Sequence, residues 1–437
     1  MRIKTIWIYI LVLIFQGSLF GQDPVQNLNL KQLIDSALQR NYLLQANNKQ
    51  MAVKQTQIEL LRLTYQPTIS SSLTASFWKF LLPNKQRLLG NSLTDVYTDI
   101  SVYQTIYDWG ENKVKKAAVG EEVMISREIE RQLRSTIIWG VTDSYFEMLK
   151  SESEIKVHQN TLMQLRSHLK FAEALYNIGK VSEMDVLRLN VRISVEEKAI
   201  QKAKGAALTH EIKLRRLCFL DEKRTSIIEN LADSLYNEKR ASIFSADSLY
   251  HITLNNHPSL VASNLKITLE EKQKELSRLQ NRPELYSYGI GTWEHSSIPF
   301  SKNFNYNIGV GVHYTIPFLG GSGYKTKMAQ SDLRVDQITD ERTQIFYDLK
   351  REIDITLNEI EDLKTEISNN LRIIKLSRKA LDNASVIYQG GQGTIIDVLD
   401  AETILSESTI NHQKSTIAYL QALSKLSYLT GNDVNTY

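Results

Sequence analysis

The stretch Y-Q-G-G-Q-G-T-I-I-D-V-L-D-A-E, from Tyr388 to Glu402, indicates how this chain is organised, because a related stretch occurs earlier in the sequence. The earlier copy begins at Tyr176 and reads Y-N-I-G-K-V-S-E-M-D-V-L-R-L-N. Tyr, Gly, Asp, Val and Leu recur in register, whereas Asp400 in the second copy stands where the first copy has Arg188. Two related phrases so far apart indicate an internal repeat, which has to be identified before a fold is assigned.

The repeat extends well beyond this phrase. Pro67 aligns with Pro283, and Y-Q-T-I-Y-D-W-G from Tyr103 resembles Y-T-I-P-F-L-G-G from Tyr314. Each half predicts a helix, two strands, a very long helix, a tip and a shorter helix. The predicted segments are a first repeat over residues 22–222, a polar connector over 223–245 and a second repeat over 246–437.

The N-terminus predicts a secretory signal peptide over residues 1–21. Arg2 and Lys4 precede an apolar run from Ile6 to Phe15, and small residues follow. An anchoring helix is the alternative, but this run is short for a membrane span. Cleavage would remove two positive charges from a formal net charge of +3. The remaining near-neutral balance gives no electrostatic basis for binding nucleic acid.

Alternating residue types predict four strands. Between Asn303 and Pro317, large apolar residues alternate with Asn, Gly, His and Thr. This period of two is typical of a barrel strand with one face toward lipid and one toward water, although a soluble hairpin with one buried face would also show it. Trp78, Trp109 and Trp293 fall at strand ends, as interfacial aromatics do. The predicted strands are 68–80, 92–107, 284–294 and 303–317.

Two segments predict helices far longer than a compact domain needs. The second has neither Pro nor Gly, and Ile and Leu recur from Ile338 to Ile374 at spacings of three, four and seven. Charged residues fill the other positions, which indicates a narrow apolar seam on a solvated coiled-coil helix. The long helices are predicted over 110–176 and 324–388, and shorter ones over 182–220 and 246–281.

Four strands cannot close a transmembrane barrel, which requires about eight. An open sheet edge in lipid would leave backbone N–H and C=O groups unpaired. Strands shared between chains remove this problem, since two chains would supply eight strands and three would supply twelve. The inward faces are rich in Gly and Asn and favour the larger ring, because an eight-stranded barrel is largely filled by its own side chains.

The doubled tip phrase, the Y-D-W-G and F-L-G-G strand ends, the signal peptide and the repeat together resemble the TolC-like outer membrane efflux proteins. The resemblance implies a mainly α-helical chain that forms a homotrimer, with a twelve-stranded β-barrel continued by a coiled-coil helical barrel. It implies a passive exit duct in the outer membrane of a Gram-negative bacterium, with the helices in the periplasm, serving efflux or type I secretion. The implied partners are a periplasmic adaptor, an inner-membrane transporter and outer-membrane lipid, and no cofactor is implied.

The tip phrase has a structural and a functional interpretation. Ser182-x-x-Asp185 and Thr394-x-x-Asp397 resemble capping boxes after glycine-containing turns, which any reversal between two helices could use. Asp400 does not fit this interpretation, because a second carboxylate three residues after Asp397 repels the first. The resemblance places Asp397 and Asp400 at the periplasmic constriction, as six carboxylates around a threefold pore. Such a ring would attract cations and bind multivalent ones.

The resemblance also implies that hydrogen bonds between tip helices hold the duct closed. Tyr388 and Asp185 match one such pair by position. Gly393 stands where the family's best-studied pattern has Arg, so we hypothesise a salt bridge between Arg188 and Asp400 as a substitute. The tip residues expected to contact the adaptor are Asn177, Ile178, Gly179, Lys180, Gln389, Gly390, Gly391 and Gln392.

An enzyme and a secreted scaffold are the two alternative classes of protein. The eight His residues show no metal-ligand spacing, and neither a nucleophile motif nor a phosphate-binding loop is present, so we predict no enzymatic activity and no structural metal. A secreted coiled-coil scaffold or adhesin would share the long helices without needing lipid-facing strands. Drugs, metals and proteins fit the sequence equally well as cargo.

Overall fold

The computed structural model describes residues 26–79, 81, 83–84, 92–220, 225–227, 245–295, 304–314 and 323–432. The predicted signal peptide, most of the polar connector and most of the loops between paired strands lie outside these residues. The described chain is mainly helical, and it contains a four-stranded antiparallel sheet, as the sequence predicts.

The bounds of the elements are close to those predicted. The helices are α1 Leu30–Arg40, α2 Tyr42–Arg62, α3 Glu111–Asn177, α4 Glu183–Leu217, α5 Ala246–Asn256, α6 Pro258–Leu279, α7 Tyr324–Gln389 and α8 Ile395–Thr430. The strands are β1 Gln26–Leu28, β2 Thr68–Lys79, β3 Ser92–Tyr107, β4 Thr225–Ile227, β5 Glu284–Glu294 and β6 Phe304–His313. The predicted continuation of β6 from residue 315 to 317 lies outside the described residues. None of the described helices is long and apolar enough to cross a membrane.

Residues 45–130 and 258–346 form one compact unit, which contains the larger sheet. Its strand order is β2-β3-β5-β6, so β2 and β6 are its edges. One face presents exposed apolar side chains, including Leu73 of β2 and Ile308 of β6, whose residues are 72% and 78% exposed. On the other face, Asp99 accepts hydrogen bonds from the hydroxyls of Ser72 (3.4 Å) and Thr292 (2.6 Å) on the two neighbouring strands. The alternation in the sequence thus produces one apolar and one polar face.

Side-chain packing explains why β6 has glycine at two positions. Gly309 and Gly311 pair with Tyr288 and Tyr286 of β5. A Cβ at Gly309 would lie 2.8 Å from the Tyr288 hydroxyl, and one at Gly311 would lie 2.6 Å from that of Tyr286. The two rings therefore occupy the space that side chains would fill at these positions.

The other compact unit comprises residues 1–44, 131–257 and 347–437, so far as the structure describes them. Here β1 pairs with β4 in parallel. Ile353, Ile360 and Ile367 of α7, spaced seven apart, are almost fully buried in a core that also contains Phe146 of α3 and Tyr419 of α8. This heptad spacing is that of a coiled-coil seam, as predicted.

The predicted continuous helix over 246–281 is wrong, because the chain forms α5 and α6 with a break between them. His257 is extended, with φ −66° and ψ 123°. The ring of Pro258 disfavours helical geometry in the residue before it, so the first helix has to end there. Asn41 makes a matching break between α1 and α2, with ψ 117°.

Candidate functional site at the helical tips

At the second tip, α7 ends in a turn whose glycine adopts the left-handed backbone conformation. Gly391 has φ 74° and donates its N–H to the Tyr388 carbonyl (3.0 Å), while the Gln392 N–H reaches the Ile387 carbonyl (3.1 Å). This pair of bonds is the Schellman arrangement, which satisfies carbonyls that the helix leaves free. Glycine adopts the left-handed conformation without a Cβ penalty.

The first tip has the same geometry. Gly179 has φ 72° and its N–H reaches the Tyr176 carbonyl (2.9 Å), while the Lys180 N–H reaches the Leu175 carbonyl (2.9 Å). Each copy of the repeated phrase thus encodes the same helix end, which accounts for the shared Tyr-x-x-Gly spacing.

The two helix starts after the turns differ. Thr394 forms the predicted capping box, in which its Oγ1 accepts from the Asp397 backbone N–H (3.4 Å) and the Asp397 carboxylate accepts from the Thr394 backbone N–H (3.4 Å). The Thr394 hydroxyl also donates to the Asp397 carboxylate (2.8 Å). Ser182 occupies the N-cap position but makes no side-chain capping bond. The predicted hydroxyl cap at Ser182 is therefore wrong. Asp185 stays in the first turn, where its charge complements the helix dipole.

All four tip helices contribute to one apolar cluster, here called the tip cluster. Each of the four helices contributes buried members. Their packing joins the α3–α4 hairpin to the α7–α8 hairpin at this end. The buried members are Leu165 and Ala172 of α3, Leu189 and Ile193 of α4, Leu381 and Tyr388 of α7, and Ile395, Val398 and Ala401 of α8.

Tyr388 lies in the tip cluster with its hydroxyl buried. Its residue is 2% exposed, and its ring meets that of Phe171 edge-on at 6.3 Å. The hydroxyl has no hydrogen-bond partner among the described residues. Burial and, second, the nearby Asp185 carboxylate raise the pKa of Tyr388. The two predicted partners are therefore neighbours, but no hydrogen bond joins them within one chain.

Asp397 and Asp400 are both exposed at the start of α8. The Asp397 carboxylate serves the helix cap, whereas Asp400 makes no hydrogen bond or ion pair with any residue in the described ranges. Arg188 is also exposed, and the hypothesised salt bridge to Asp400 is not formed within the chain. No group of three His, Cys, Asp or Glu side chains in the described part of the chain is arranged to hold a metal ion.

Gly393 has a steric role rather than a conformational one. Its φ lies outside the left-handed region, but a Cβ there would lie 3.0 Å from Cγ2 of Ile387 and 3.3 Å from the backbone N of Tyr388. The turn therefore leaves little room for the Arg that the family's best-studied pattern has at this position.

The remaining predicted residues lie at exposed positions. All eight predicted adaptor-contact residues of the two turns are exposed. Trp78 and Trp293 lie near the ends of β2 and β5, and Trp109 follows the opposite end of β3. All three indoles are exposed, and Trp109 Nε1 donates to the Pro283 carbonyl (2.5 Å).

Sequence reasoning missed the most unusual group near the tips, Glu402. It is 2% exposed, and neither carboxylate oxygen has a hydrogen-bond partner among the described residues. Burial is the main reason that the pKa of Glu402 rises to about 7; Glu196 of α4 adds to the rise and Arg192 of α4 opposes it. Helical periodicity could have predicted the burial of Glu402. A residue two positions after the exposed Asp400 lies about 200° further around the helix and therefore faces inward.

The chain combines long helices, paired through two similar turns, with a four-stranded sheet that has one exposed apolar face. These features define the class of protein. Residues 33–218 match the sequence model of a family described as "Outer membrane efflux protein". The resemblance seen in the sequence agrees with this match, and nearly the whole chain has the fold of solved outer membrane channels. No curated protein sequence matches the chain.

Three solved structures illustrate the likeness in fold. CusC, described with respect to transmembrane channel formation, has a TM-score of 0.77 at 17% identity, covering 95% of this chain and 96% of that one. VceC, an outer membrane protein of Vibrio cholerae, gives 0.72 at 15% identity, covering 92% and 96%. The CmeC outer membrane channel of Campylobacter jejuni gives 0.70 at 15% identity, covering 95% and 90%.

Proposed function

We propose that this chain forms, as a homotrimer, a passive exit duct of the outer membrane that is closed at its periplasmic helical tip. The observation that carries the proposal is the four-stranded sheet, which has an exposed apolar face, an opposite polar face and two free edges at β2 and β6. An apolar face of this kind suits lipid, and the polar face suits a water-filled lumen.

The free edges support sharing of the barrel between chains. Each unpaired backbone group at β2 or β6 would cost several kcal/mol in lipid. Pairing β2 of one copy with β6 of the next removes both edges, and three copies give twelve strands. The match of residues 33–218 to the outer membrane efflux family and the fold shared with solved channels support a membrane barrel.

The exposed carboxylates Asp397 and Asp400 support a cation-attracting constriction. Asp400 makes no hydrogen bond or ion pair with the residues that the structure describes, so its charge is available to the pore or to a neighbouring copy. In a trimer the two residues would supply six carboxylates around one axis. Such a ring would favour cations and disfavour anions.

The exposed tip turns support docking of a periplasmic adaptor, which would connect the duct to an inner-membrane transporter. Gly179 and Gly391 fix the shape of both turns by their left-handed backbone, and Ile178 presents an exposed apolar side chain at the first. An efflux pump and a type I secretion transporter fit this role equally, because the duct itself supplies no energy.

Disulfide trapping tests the shared barrel. Leu73→Cys and Ile308→Cys place thiols on the two outermost strands, which are three strand spacings or about 14 Å apart, and four residues out of register, too far for a bond within one chain. The native Cys218 gives little background, because it is fully buried and burial raises the pKa of its thiol to about 12. We expect the double variant in outer-membrane fractions to form a covalent ladder up to a trimer on oxidation.

The matched control pairs Val96→Cys, on an inner strand, with Ile308→Cys, and it should remain monomeric. Recovery of the protein only in the soluble periplasm, with no oligomer extracted by detergent, would favour the scaffold alternative instead.

A further inference from the structure

Glu402 stands apart from the rest of the tip because it is a buried acid whose two carboxylate oxygens have no hydrogen-bond partner among the described residues. A buried carboxylate whose oxygens lack hydrogen bonds is costly when charged, so such groups tend to bind a proton. Its chain neighbour Ala401 belongs to the tip cluster, which places the acid at the contact between the two hairpins.

The charges around Glu402 come mainly from α4. Arg192, which is partly buried, is the attracting charge, and Glu196, which is 3% exposed, is the repelling one. From α3, Nδ1 of His158 lies 2.5 Å from the Glu196 carboxylate, so Glu196 already has a partner of its own.

Among the described residues, Arg192 and Glu196 are the charged groups that shift the pKa of Glu402. Thr161 of α3 hydrogen-bonds Ser406 of α8 (3.1 Å), and α7 contributes Leu381 and Tyr388 to the cluster. On α8 itself, the nearest other acids, Asp400 and Glu407, are exposed. An ionised Glu402 would therefore have to recruit Arg192 or move α8 away from α4.

We propose that Glu402 makes the packing of α8 against α3 and α4 sensitive to pH: the neutral acid permits the packed tip, and its ionisation loosens it. The contact is a property of the chain alone, and only its consequence for opening the duct rests on the proposed function. In that setting, alkaline conditions in the periplasm would favour an open tip and acidic conditions a closed one.

The direction of the effect follows from linkage. The packed state raises the pKa of Glu402 from 4.5 to about 7. The stabilising contribution of the neutral acid is therefore complete below about pH 4.5, declines as the pH rises, and is lost above about pH 7. Between these limits the packed-to-loosened equilibrium changes by up to about tenfold per pH unit, since one proton is involved.

Hydrogen–deuterium exchange tests this inference on the full-length protein in detergent. After correction for intrinsic exchange rates, peptides covering residues 183–200 and 395–410 should lose protection by about tenfold or more between pH 5.5 and pH 8. Glu402→Gln should keep them protected at both pH values, because the amide has the same shape and no charge. Glu402→Leu is a second uncharged variant in case the amide disturbs folding.

Glu407→Gln is the matched control, since it removes an exposed acid from the same helix and should retain the pH response of the parent protein. Persistence of the pH response in both Glu402 variants, or its absence from the parent protein, would overturn the proposal. Exchange does not require a pore, so a protein with the response but no conductance would contradict the proposed function and leave the pH-sensitive contact standing.

Discussion

Gly179 and Gly391 each lie just past the end of a long helix, where the backbone is left-handed with φ of 72° and 74°. No neighbouring side chain or backbone atom lies within 4 Å of the place where either would carry a Cβ. The requirement for glycine is therefore conformational rather than steric. Gly393 shows the opposite case, since its φ is ordinary but its surroundings are crowded.

This difference gives a prediction for the turn. Gly391→Ala should lower the free energy of unfolding by about 1 kcal/mol, because alanine in the left-handed region is strained. Gly390→Ala is the matched control: its φ is ordinary and its nearest neighbour lies 3.5 Å away, so it should change stability by only about a few tenths of a kcal/mol. Urea denaturation of the detergent-solubilised protein measures both, and equal effects would contradict the assignment.

Asp400 remains the residue of the repeated phrase that local structure does not require. The repeat explains the helix end, and the Thr394 cap explains Asp397, but Asp400 has no partner in the described chain and repels its neighbour. We therefore expect Asp400 to act outside the single chain.

At the scale of single elements, the starts of α4 and α8 provide a matched pair. Thr394→Ala should cost about 1 kcal/mol of stability, since it removes a hydroxyl that caps α8. Ser182→Ala should change stability little, because the Ser182 hydroxyl makes no capping bond. Denaturation curves for the two variants check this, and a larger loss for Ser182→Ala would show that the first tip is capped after all.

The elements were predictable wherever one physical signal dominated. Period-two alternation located β2, β3, β5 and β6 within a few residues, and the absence of Pro and Gly predicted the whole of α7. The break between α5 and α6 was missed, although Pro258 provides a local signal, because amphipathic spacing continues across it. In the first repeat, Asn41 makes the matching break without a proline.

The candidate site was predicted less completely than the elements. The turns and the exposure of Asp397 and Asp400 follow from local sequence. Whether Tyr388 meets Asp185 or Arg188 meets Asp400 depends on the packing of helices far apart in the chain, and neither bond forms within one copy. The burial of Glu402 depends on the same packing, which a single helix pattern does not specify.

At the scale of the whole molecule, the single chain has surfaces that only an assembly would satisfy. β2 and β6 are free edges, and apolar side chains remain exposed along α4, among them Met184, Leu187 and Val191. Their spacing of three and four residues forms a stripe on one face of the helix. Contact between copies in a trimer would cover both features.

We propose that Asp397 and Asp400 form a cation-attracting constriction at the tip of an outer-membrane duct. Substitution by Asn is preferable to Ala at Asp397, because the amide can still accept the Thr394 bond of the cap. Glu407→Gln controls for the loss of an exposed acid elsewhere on α8.

Single-channel recording of the purified protein in a planar bilayer measures the ion preference of this constriction. We predict a small cation-preferring conductance that multivalent cations block from the periplasmic side, a block retained by Glu407→Gln and abolished by Asp397→Asn combined with Asp400→Asn. A block that persists unchanged in the double variant, or the absence of any conductance from the trimer, would contradict a constriction formed by these two residues.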